Sequence, residues 1–246
     1  MELGLQLYSL RDVIGDDVDG TIRKVAEMGY KTVEFAGYYG KSAAEMKKLL
    51  DDCGLRAVST HISLELITEH FDEQLEYNLA VGNRNLILPW GGMKNGDDCK
   101  RIGEILNVAA QKAAKYGAFV GYHNHAYEFE GVENGERFID ILARETDPSV
   151  TFEFDVYWVS FGGASPEEYI KKYADRQRVM HLKELSRDEP KRNVEIGDGC
   201  IDFAGIIKLG KQVGVRDFIV EQEAYTMPQL DSCSRSFKGV EKLGVL

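Results

Sequence analysis

Acidic and aromatic side chains alternate in the short β-rich run Thr151-Phe-Glu-Phe-Asp155, and this alternation predicts the architecture of the chain. Successive side chains of a strand point to opposite faces. Glu153 and Asp155 therefore share one face, and Phe152 and Phe154 share the other. A polar face opposite an apolar one is expected in a barrel strand whose outer face packs on helices.

Seven similar runs accompany this one, and the eight recur about every 30 residues, the size of one strand-plus-helix unit. The eight runs are Leu3–Tyr8, Thr32–Phe35, Arg56–His61, Asn85–Leu88, Ala118–His123, Thr151–Asp155, Arg178–Lys183 and Asp217–Glu221. The segments between them have helical spacing of apolar residues, as in 17–28 and 43–50. Glycines stand between helical segments and strands, where many helices end on a residue with positive φ. These glycines are Gly29, Gly54, Gly82, Gly117 and Gly214.

Strands that alternate with helices predict a parallel sheet of the α/β class. Eight units in 246 residues favour closure into a (β/α)8 TIM barrel. The sequence has no linker or shift in composition, so we expect a single domain over residues 1–246. A doubly wound open sheet is the alternative. Such a sheet usually carries a glycine-rich phosphate-binding turn, and the sequence contains neither G-x-G-x-x-G nor G-x-x-x-x-G-K-[ST].

Composition argues against two classes of partner. The net charge of −11 and the isoelectric point near 5.0 disfavour nucleic acid, which is bound mainly through Lys and Arg. No apolar stretch approaches the roughly 20 residues of a membrane span. Cys53, Cys99, Cys200 and Cys233 form no Cys-x-x-Cys pair, so we expect reduced thiols in a cytoplasmic protein. The sequence leaves a homodimer open.

Titratable side chains collect where the runs end, and the strand ends of such a barrel form the active-site mouth. These side chains are His61, His123, His125, Asp155, His181 and Glu221. Buried carboxylates repel one another and are costly unless paired or bound to a metal. We therefore predict one divalent cation. A hard, oxygen-rich ligand set suits Mn, Mg or Co better than structural Zn.

Other polar and aromatic residues near the run ends are candidate substrate contacts. Gln6 and Tyr8 share a face of the first run, and Trp90 and Trp158 are expected to wall the mouth. Lys183 shares the face of His181. Purely structural interpretations compete with these: Lys183 paired with a carboxylate, His61 bonded in the core, and Glu34 and Glu153 satisfied deeper in the barrel.

Five motifs extend this interpretation along residues 4–239. They are Tyr122-His-Asn-His125-x-x-Glu128-Phe129, Phe154-Asp155-x-x-Trp158, Val179-x-His181-Leu-Lys183-Glu184, Ile196-Gly-Asp-Gly-x-Ile-Asp202-Phe203 and Val220-Glu221-Gln222-Glu223. In this order and spacing the chain resembles the sugar phosphate isomerase/epimerase family of xylose-isomerase-like TIM barrels, which also contains endonuclease IV. Each motif is weak alone. Together they are specific for the superfamily and do not name a substrate.

The resemblance implies one divalent cation held by residues of the fifth to eighth strands. Asp155, His181 and Glu221 match the last three positions. For the fifth strand, Glu128 is the ligand if the backbone folds back after His125. Otherwise His123 or His125 is the ligand, or the site has only three ligands.

The resemblance also bears on the substrate. Arg187 matches an arginine that holds substrate hydroxyls in relatives. Trp158 stands where ketose epimerases have a substrate-contacting histidine, so a free ketohexose is not the obvious substrate. A sugar or sugar derivative is the expected partner, with Gln6, Tyr8, Trp90, His125, Trp158 and Arg187 as its contacts.

The expected activity is isomerisation or epimerisation by proton transfer next to a carbonyl, through a metal-stabilised enediolate. Glu221 with His123 is the expected base, and His61 and Lys183 are orienting or acid groups. If a β-leaving group departs instead, the enzyme is a metal-dependent lyase or dehydratase acting on a keto-sugar, keto-glycoside or inosose. A sugar-binding barrel without catalysis is a further alternative. An endonuclease-IV-like repair enzyme would need more histidines and a basic groove.

Overall fold

The computed structural model describes residues 1–245 and contains a closed barrel of eight parallel strands. Strands β1 to β8 are Leu3–Gln6, Thr32–Phe35, Arg56–His61, Asn85–Leu88, Phe119–His123, Thr151–Asp155, Val179–Leu182 and Asp217–Val220. They follow one another around the barrel in chain order. β8 closes the barrel by pairing with β1, from Leu3 opposite Phe218 to Leu5 opposite Val220. The predicted (β/α)8 fold is confirmed, and each predicted run contains one strand.

Helices surround the barrel and connect its strands. Helices α1 to α11 are Val18–Glu27, Ala43–Cys53, Leu64–Glu69, Phe71–Val81, Gly96–Ala114, Tyr127–Glu130, Phe138–Glu145, Val156–Phe161, Pro166–Lys172, Phe203–Gln212 and Gln229–Glu241. Two 3₁₀ turns cover Leu7–Leu10 and Ala174–Arg176. Within residues 1–245, none of the helices combines the length and apolar character needed to cross a bilayer.

Local sequence signals explain where a typical helix begins and ends. At the start of α2, the Ser42 side chain accepts a hydrogen bond from the backbone N–H of Glu45, whose carboxylate binds the backbone N–H of Ser42 in return. Gly54 ends α2 at φ 65°, and Gly82 ends α4 at φ 90°. Only glycine adopts this left-handed conformation readily, so the chain turns sharply into the next strand.

The outer face of the barrel supplies the core. Phe152 and Phe154 of β6 pack outward against aromatic rings of α9 and the residue after it, with ring centroids of Phe154 and Tyr169 6.0 Å apart and those of Phe152 and Tyr173 5.5 Å apart. Burying each phenylalanine contributes about 1.5–3 kcal/mol. The same alternation turns Glu153 and Asp155 into the barrel interior.

Several irregular segments build the mouth at the carboxyl ends of the strands. A short helix, α6, follows β5 after only three residues, and α8 follows β6 directly. After β7 the chain forms a two-stranded hairpin from Glu184–Leu185 and Asn193–Val194. A second hairpin joins Val132–Glu133 to Glu136–Arg137. Because these segments stand at the mouth, they decide which side chains reach it.

Candidate functional site

Four side chains from β5 to the end of β8 form a buried cluster at the barrel mouth. Ligand atoms of His123, Asp155, His181 and Glu221 all lie within 4.8 Å of one another. Asp155 Oδ2, His181 Nδ1 and both ring nitrogens of His123 have no hydrogen-bond partner among the described residues. Buried polar atoms usually have a partner, so this cluster is suited to a ligand that supplies one. We call these four residues the mouth cluster.

The backbone fixes which oxygen of Asp155 enters the mouth cluster. Asp155 is the N-cap of α8, and its Oδ1 accepts hydrogen bonds from the backbone N–H groups of Tyr157 at 2.9 Å and Trp158 at 3.2 Å. These bonds hold the carboxylate in one orientation. Oδ2 therefore faces the cluster, 3.6 Å from His123 Nε2 and 3.9 Å from His181 Nδ1.

A second group of buried side chains lies deeper in the barrel. Glu34 Oε2 is 2.5 Å from His181 Nε2, and Glu153 Oε2 is 2.7 Å from His61 Nε2. His181 thus contacts both groups, with Nε2 directed inward and Nδ1 directed to the mouth, where Glu221 Oε2 lies 3.4 Å away. We call Glu34, His61 and Glu153 the inner cluster.

Distances decide which cluster fits a cation. Metal–ligand bonds of about 2.0–2.2 Å place neighbouring ligand atoms roughly 3.0–3.6 Å apart in octahedral or tetrahedral geometry. Three pairs of ligand atoms in the mouth cluster lie 3.4 to 3.9 Å apart, close to this range, and all four residues have a ligand atom within 4.8 Å of the others. The pairs at 2.5 and 2.7 Å that involve the inner cluster are hydrogen bonds. The mouth cluster therefore fits a divalent ion. His61, His123, Glu153 and His181 also lie close enough to share an ion, but there the short hydrogen bond between His61 and Glu153 would have to break.

Electrostatics support this division. Burial raises the pKa of Asp155, and Lys183 partly opposes the rise. Burial also acts to raise the pKa of Glu221, but Lys183 and His181 outweigh it and hold the pKa well below its usual value. Burial, together with His181 and His61, keeps the pKa of His123 well below its usual value. His123 is therefore a neutral imidazole at pH 7, the form that binds metals.

Glu34 and Glu153 differ in pKa because different charged groups surround them. Burial alone would raise the pKa of Glu34, but His61 and His181 lower it to about 2. Burial and the charge of Glu34 raise the pKa of Glu153 to about 7. Burial acts to lower the pKa of His61, yet Glu34 and Glu153 raise it overall. Glu34 is therefore ionised at pH 7, whereas Glu153 titrates near neutral pH beside His61.

Lys183 lies behind the cavity wall rather than in the open cavity. Its side chain is fully buried, with Nζ 3.4 Å from Glu221 Oε2, in an ion pair with Glu223 and 4.5 Å from the Trp158 ring centre. The ammonium group therefore orients two carboxylates at once. The structural interpretation of Lys183 as a paired lysine agrees with these contacts, and so does an orienting role.

A cavity of about 320 Å³ opens above the mouth cluster. His123 and Glu221 line it from below, and His61 lines its side. Tyr8 and Trp90 stand at its rim with 43% and 54% of their surfaces exposed. Tyr and Trp rings, which join an apolar face to a polar group, are common where a protein surface binds a partner. The cavity therefore combines acid–base groups with flat apolar walls.

His125 and Trp158 complete the aromatic side of the mouth. The His125 ring centre lies 5.3 Å from that of Trp90 and 5.4 Å from that of Trp158. Burial and the neighbouring His123 lower the pKa of His125 to about 3. His125 lines the cavity as a neutral ring, beside the mouth cluster rather than in it.

The structure does not bring Glu128 to the mouth cluster. In α6 its carboxylate turns back and accepts hydrogen bonds from the Tyr122 hydroxyl at 2.5 Å and the His125 backbone N–H at 2.8 Å. Burial raises the pKa of Glu128 to about 8. A carboxyl group that is neutral at pH 7 is a poor metal ligand. Of the two histidines that were the alternatives, His123 belongs to the mouth cluster and His125 does not.

Two of the predicted substrate contacts also lie elsewhere. Gln6 is fully buried, and its side-chain amide donates a hydrogen bond to Glu34 at 2.8 Å, because strand parity gave its face but not its depth. Arg187 is exposed and lines a different cavity, of about 620 Å³, beside the hairpin after β7. In this conformation neither side chain lies among the residues that line the cavity above the mouth cluster, and Trp158, which contacts His125, is not among them either.

Sequence reasoning left out Glu223 as a site residue. Its carboxylate lines the cavity and pairs with Lys183. The available signal was parity, since Glu223 follows Glu221 by two residues and an extended chain places both on one face. Glu34 and Glu153 were considered only as buried polar groups, and their contacts with the two histidines give them a direct relation to the site.

Comparison with known proteins gives three findings. A family model described as xylose isomerase-like TIM barrel matches residues 22–232. Inosose dehydratase of Clostridium beijerinckii is 25% identical over 228 residues, covering 76% of this chain and 76% of that protein. A crystal structure of a sugar phosphate isomerase/epimerase from Parabacteroides distasonis is 29% identical, with a TM-score of 0.84 and 98% of each chain covered.

A further solved structure, of an IolI protein with a bound zinc atom, superposes with a TM-score of 0.74 at 13% identity, covering 99% of this chain and 98% of that one. At this identity the likeness concerns the fold alone.

Proposed function

The chain belongs to the xylose isomerase-like TIM barrel family, and we propose that it is a divalent-metal-dependent lyase that eliminates a β-oxygen substituent from a keto-sugar, keto-glycoside or inosose. The activity expected from the sequence was isomerisation or epimerisation, with elimination as the alternative. The similarity to inosose dehydratase favours the second activity. Both activities begin by removing a proton next to a carbonyl, and they differ in what leaves afterwards.

The observation that carries the proposal is the presence of two separate proton-transfer groups in one cavity. Elimination needs a base for the carbon-bound proton and an acid for the departing oxygen. Glu221 and His61 both line the cavity, and they are held by different partners, Lys183 and Glu153. This separation supports opposite roles for the two side chains.

In the proposed reaction Glu221 accepts the proton from the carbon next to the carbonyl, assisted by His123. The electron pair of that C–H bond forms a C=C bond, and the C–O bond at the following carbon breaks. His61 donates a proton to the departing oxygen, so water or an alcohol leaves. Lys183 keeps the Glu221 carboxylate charged and oriented. Tyr8, Trp90, His125 and Trp158 hold the ring.

The mouth cluster would hold the cation through His123, Asp155, His181 and Glu221. A bound divalent ion supplies positive charge for the carbonyl oxygen, where negative charge develops as the proton leaves. The mixed nitrogen and oxygen ligand set accepts Mn, Co or Zn. The ligand set expected from the sequence was three carboxylates and one histidine. The mouth cluster has two imidazoles and two carboxylates, and this set favours Zn more strongly.

Mass spectrometry of the products tests the proposal. Protein loaded with Mn²⁺ or Zn²⁺ is incubated with an inosose, and we expect a product lighter by one water, with ultraviolet absorbance from its conjugated carbonyl. EDTA should abolish the product. His61→Gln should lower kcat by about 10²–10⁴-fold while metal content stays unchanged. His70→Gln, at an exposed histidine outside the site, is the matched control and should leave kcat unaltered.

Two results would contradict elimination. A product with the mass of the substrate that carries deuterium from heavy water would indicate an isomerase or epimerase, the activity named for the Parabacteroides distasonis structure. Sugar binding without turnover, with metal present, would indicate a binding barrel.

A further inference from the structure

One carboxylate oxygen in the barrel interior joins two different strands to a mouth-cluster residue. Glu34 Oε2 on β2 lies 2.5 Å from His181 Nε2 on β7, and it accepts a hydrogen bond from the Gln6 side chain on β1 at 2.8 Å. All three side chains are fully buried. The oxygen is therefore held from one side by an amide and faces an imidazole on the other.

The Glu34 contact determines which nitrogen of His181 is available to a metal. An ionised carboxylate only accepts hydrogen bonds, so His181 must carry its proton on Nε2 to form the contact. When a metal takes the place of the other ring proton, the lone pair that binds it is then on Nδ1. Nδ1 has no hydrogen-bond partner among the described residues and lies 3.4 Å from Glu221 and 3.9 Å from Asp155.

Glu153 provides an internal comparison. It is also a buried carboxylate, and its Oε2 lies 3.5 Å from the same His181 nitrogen. Its short contact, however, is with His61 at 2.7 Å. The two carboxyl groups thus lie equally deep beside His181, but only Glu34 forms a short hydrogen bond with it.

We propose that Gln6 and Glu34 form a positioning relay that fixes the ring orientation and tautomer of His181, so that Nδ1 is presented to the metal. Glu34 is a positioning residue in this scheme, because it reaches the ion only through His181. The proposal rests on the metal site of the proposed function but not on the reaction. Outer partners of metal-bound histidines typically change metal affinity by about 10–100-fold.

Zinc affinity, measured by calorimetry or competition with a chelating dye, tests the relay. Glu34→Leu removes both the charge and the hydrogen-bond acceptor, and we expect Zn²⁺ binding weaker by about 10–100-fold. Glu34→Gln removes the charge but keeps an acceptor oxygen. Glu153→Gln removes a neighbouring carboxyl group and leaves the hydrogen bond between Glu34 and His181 in place. We expect both to weaken binding by less than about tenfold, with unaltered circular dichroism.

Nuclear magnetic resonance supplies a readout that a merely structural role would not change. Long-range ¹H–¹⁵N correlations of the zinc-loaded protein should show His181 protonated at Nε2 and zinc-bound at Nδ1. His181→Gln assigns the signals. The relay is overturned if zinc occupies Nε2, or if Glu34→Leu binds Zn²⁺ as well as Glu34→Gln does. If the unaltered chain binds no metal, the proposed function fails together with the relay. If the unaltered chain binds Zn²⁺ and replacement of Glu34 leaves the affinity unchanged, only the relay is rejected.

Discussion

Replacing Glu128 with glutamine should change how stability depends on pH. Glu128 is fully buried, and burial raises its pKa from 4.5 to about 8. Between these values the folded protein holds a proton on Glu128 that the unfolded chain has released. Stability therefore falls as pH rises from 4.5 to 8, and the contribution is complete only below the unfolded value.

The size of this effect follows from the pKa difference. Each pKa unit corresponds to about 1.4 kcal/mol, so a rise from 4.5 to about 8 corresponds to about 5 kcal/mol across that pH window. Glutamine resembles the neutral acid in shape, and its oxygen can accept the backbone N–H of His125 as Glu128 Oε2 does. Glu128→Gln should therefore lose none of this stability as pH rises.

Thermal unfolding of both proteins at pH 5 to 9 measures the effect. Other buried groups titrate equally in both proteins, so the difference between the two isolates Glu128. We expect the variant to gain up to about 4 kcal/mol relative to the parent between pH 5 and 8, since this range covers three pH units. This corresponds to roughly 8–16 °C in melting temperature for a chain of this size. If the difference in stability between the two proteins stays constant over this range, the pKa of Glu128 is not raised in the folded protein. If Glu128→Gln no longer bound zinc, Glu128 would again be the expected metal ligand from the fifth strand.

Three further predictions concern the mouth, the barrel and the rim. Asp155→Asn keeps an oxygen to cap α8 but loses the free ligand oxygen, so the melting temperature should change by only a few degrees while metal affinity, measured by calorimetry, falls by more than about 100-fold. Gly121→Ala places a methyl group 2.5 Å from Thr151 Oγ1 and 2.7 Å from an Ile87 methyl, and urea unfolding should show a loss of about 1–3 kcal/mol. Trp90→Ala removes a rim wall, and steady-state kinetics should show KM raised roughly tenfold with kcat little changed.

The barrel could be predicted from sequence because its signals are local and repeated. Runs such as Thr151–Asp155 show their two faces directly, and the unit length of about 30 residues leaves few architectures. Convergence of Asp155, His181 and Glu221 followed from the same reasoning, because strand ends of one barrel meet at one mouth.

The depth of a side chain inside the barrel and the path of a loop could not be predicted in the same way. Parity assigned Gln6 to the inner face, but the register of β1 against β2 places it opposite Glu34, below the mouth. The path of Glu128 depends on the single turn of α6, which directs its carboxylate to Tyr122. Arg187 lies in a long excursion after β7 that has no repeating pattern. In each case the position of the side chain depends on tertiary contacts, which a short stretch of sequence does not reveal.

The two layers of the barrel interior differ in geometry. In the lower layer Glu34 and Glu153 each have an imidazole at hydrogen-bonding distance of one carboxylate oxygen, while the other oxygen of each has no partner among residues 1–245. In the mouth cluster Asp155 Oδ2, His181 Nδ1 and both ring nitrogens of His123 have none. Three pairs of atoms there lie 3.4 to 3.9 Å apart, which is longer than a normal hydrogen bond but close to the spacing of ligand atoms around one cation. Because the lower layer is closed by short hydrogen bonds and the mouth cluster is not, the geometry favours the mouth cluster as the place where a cation binds.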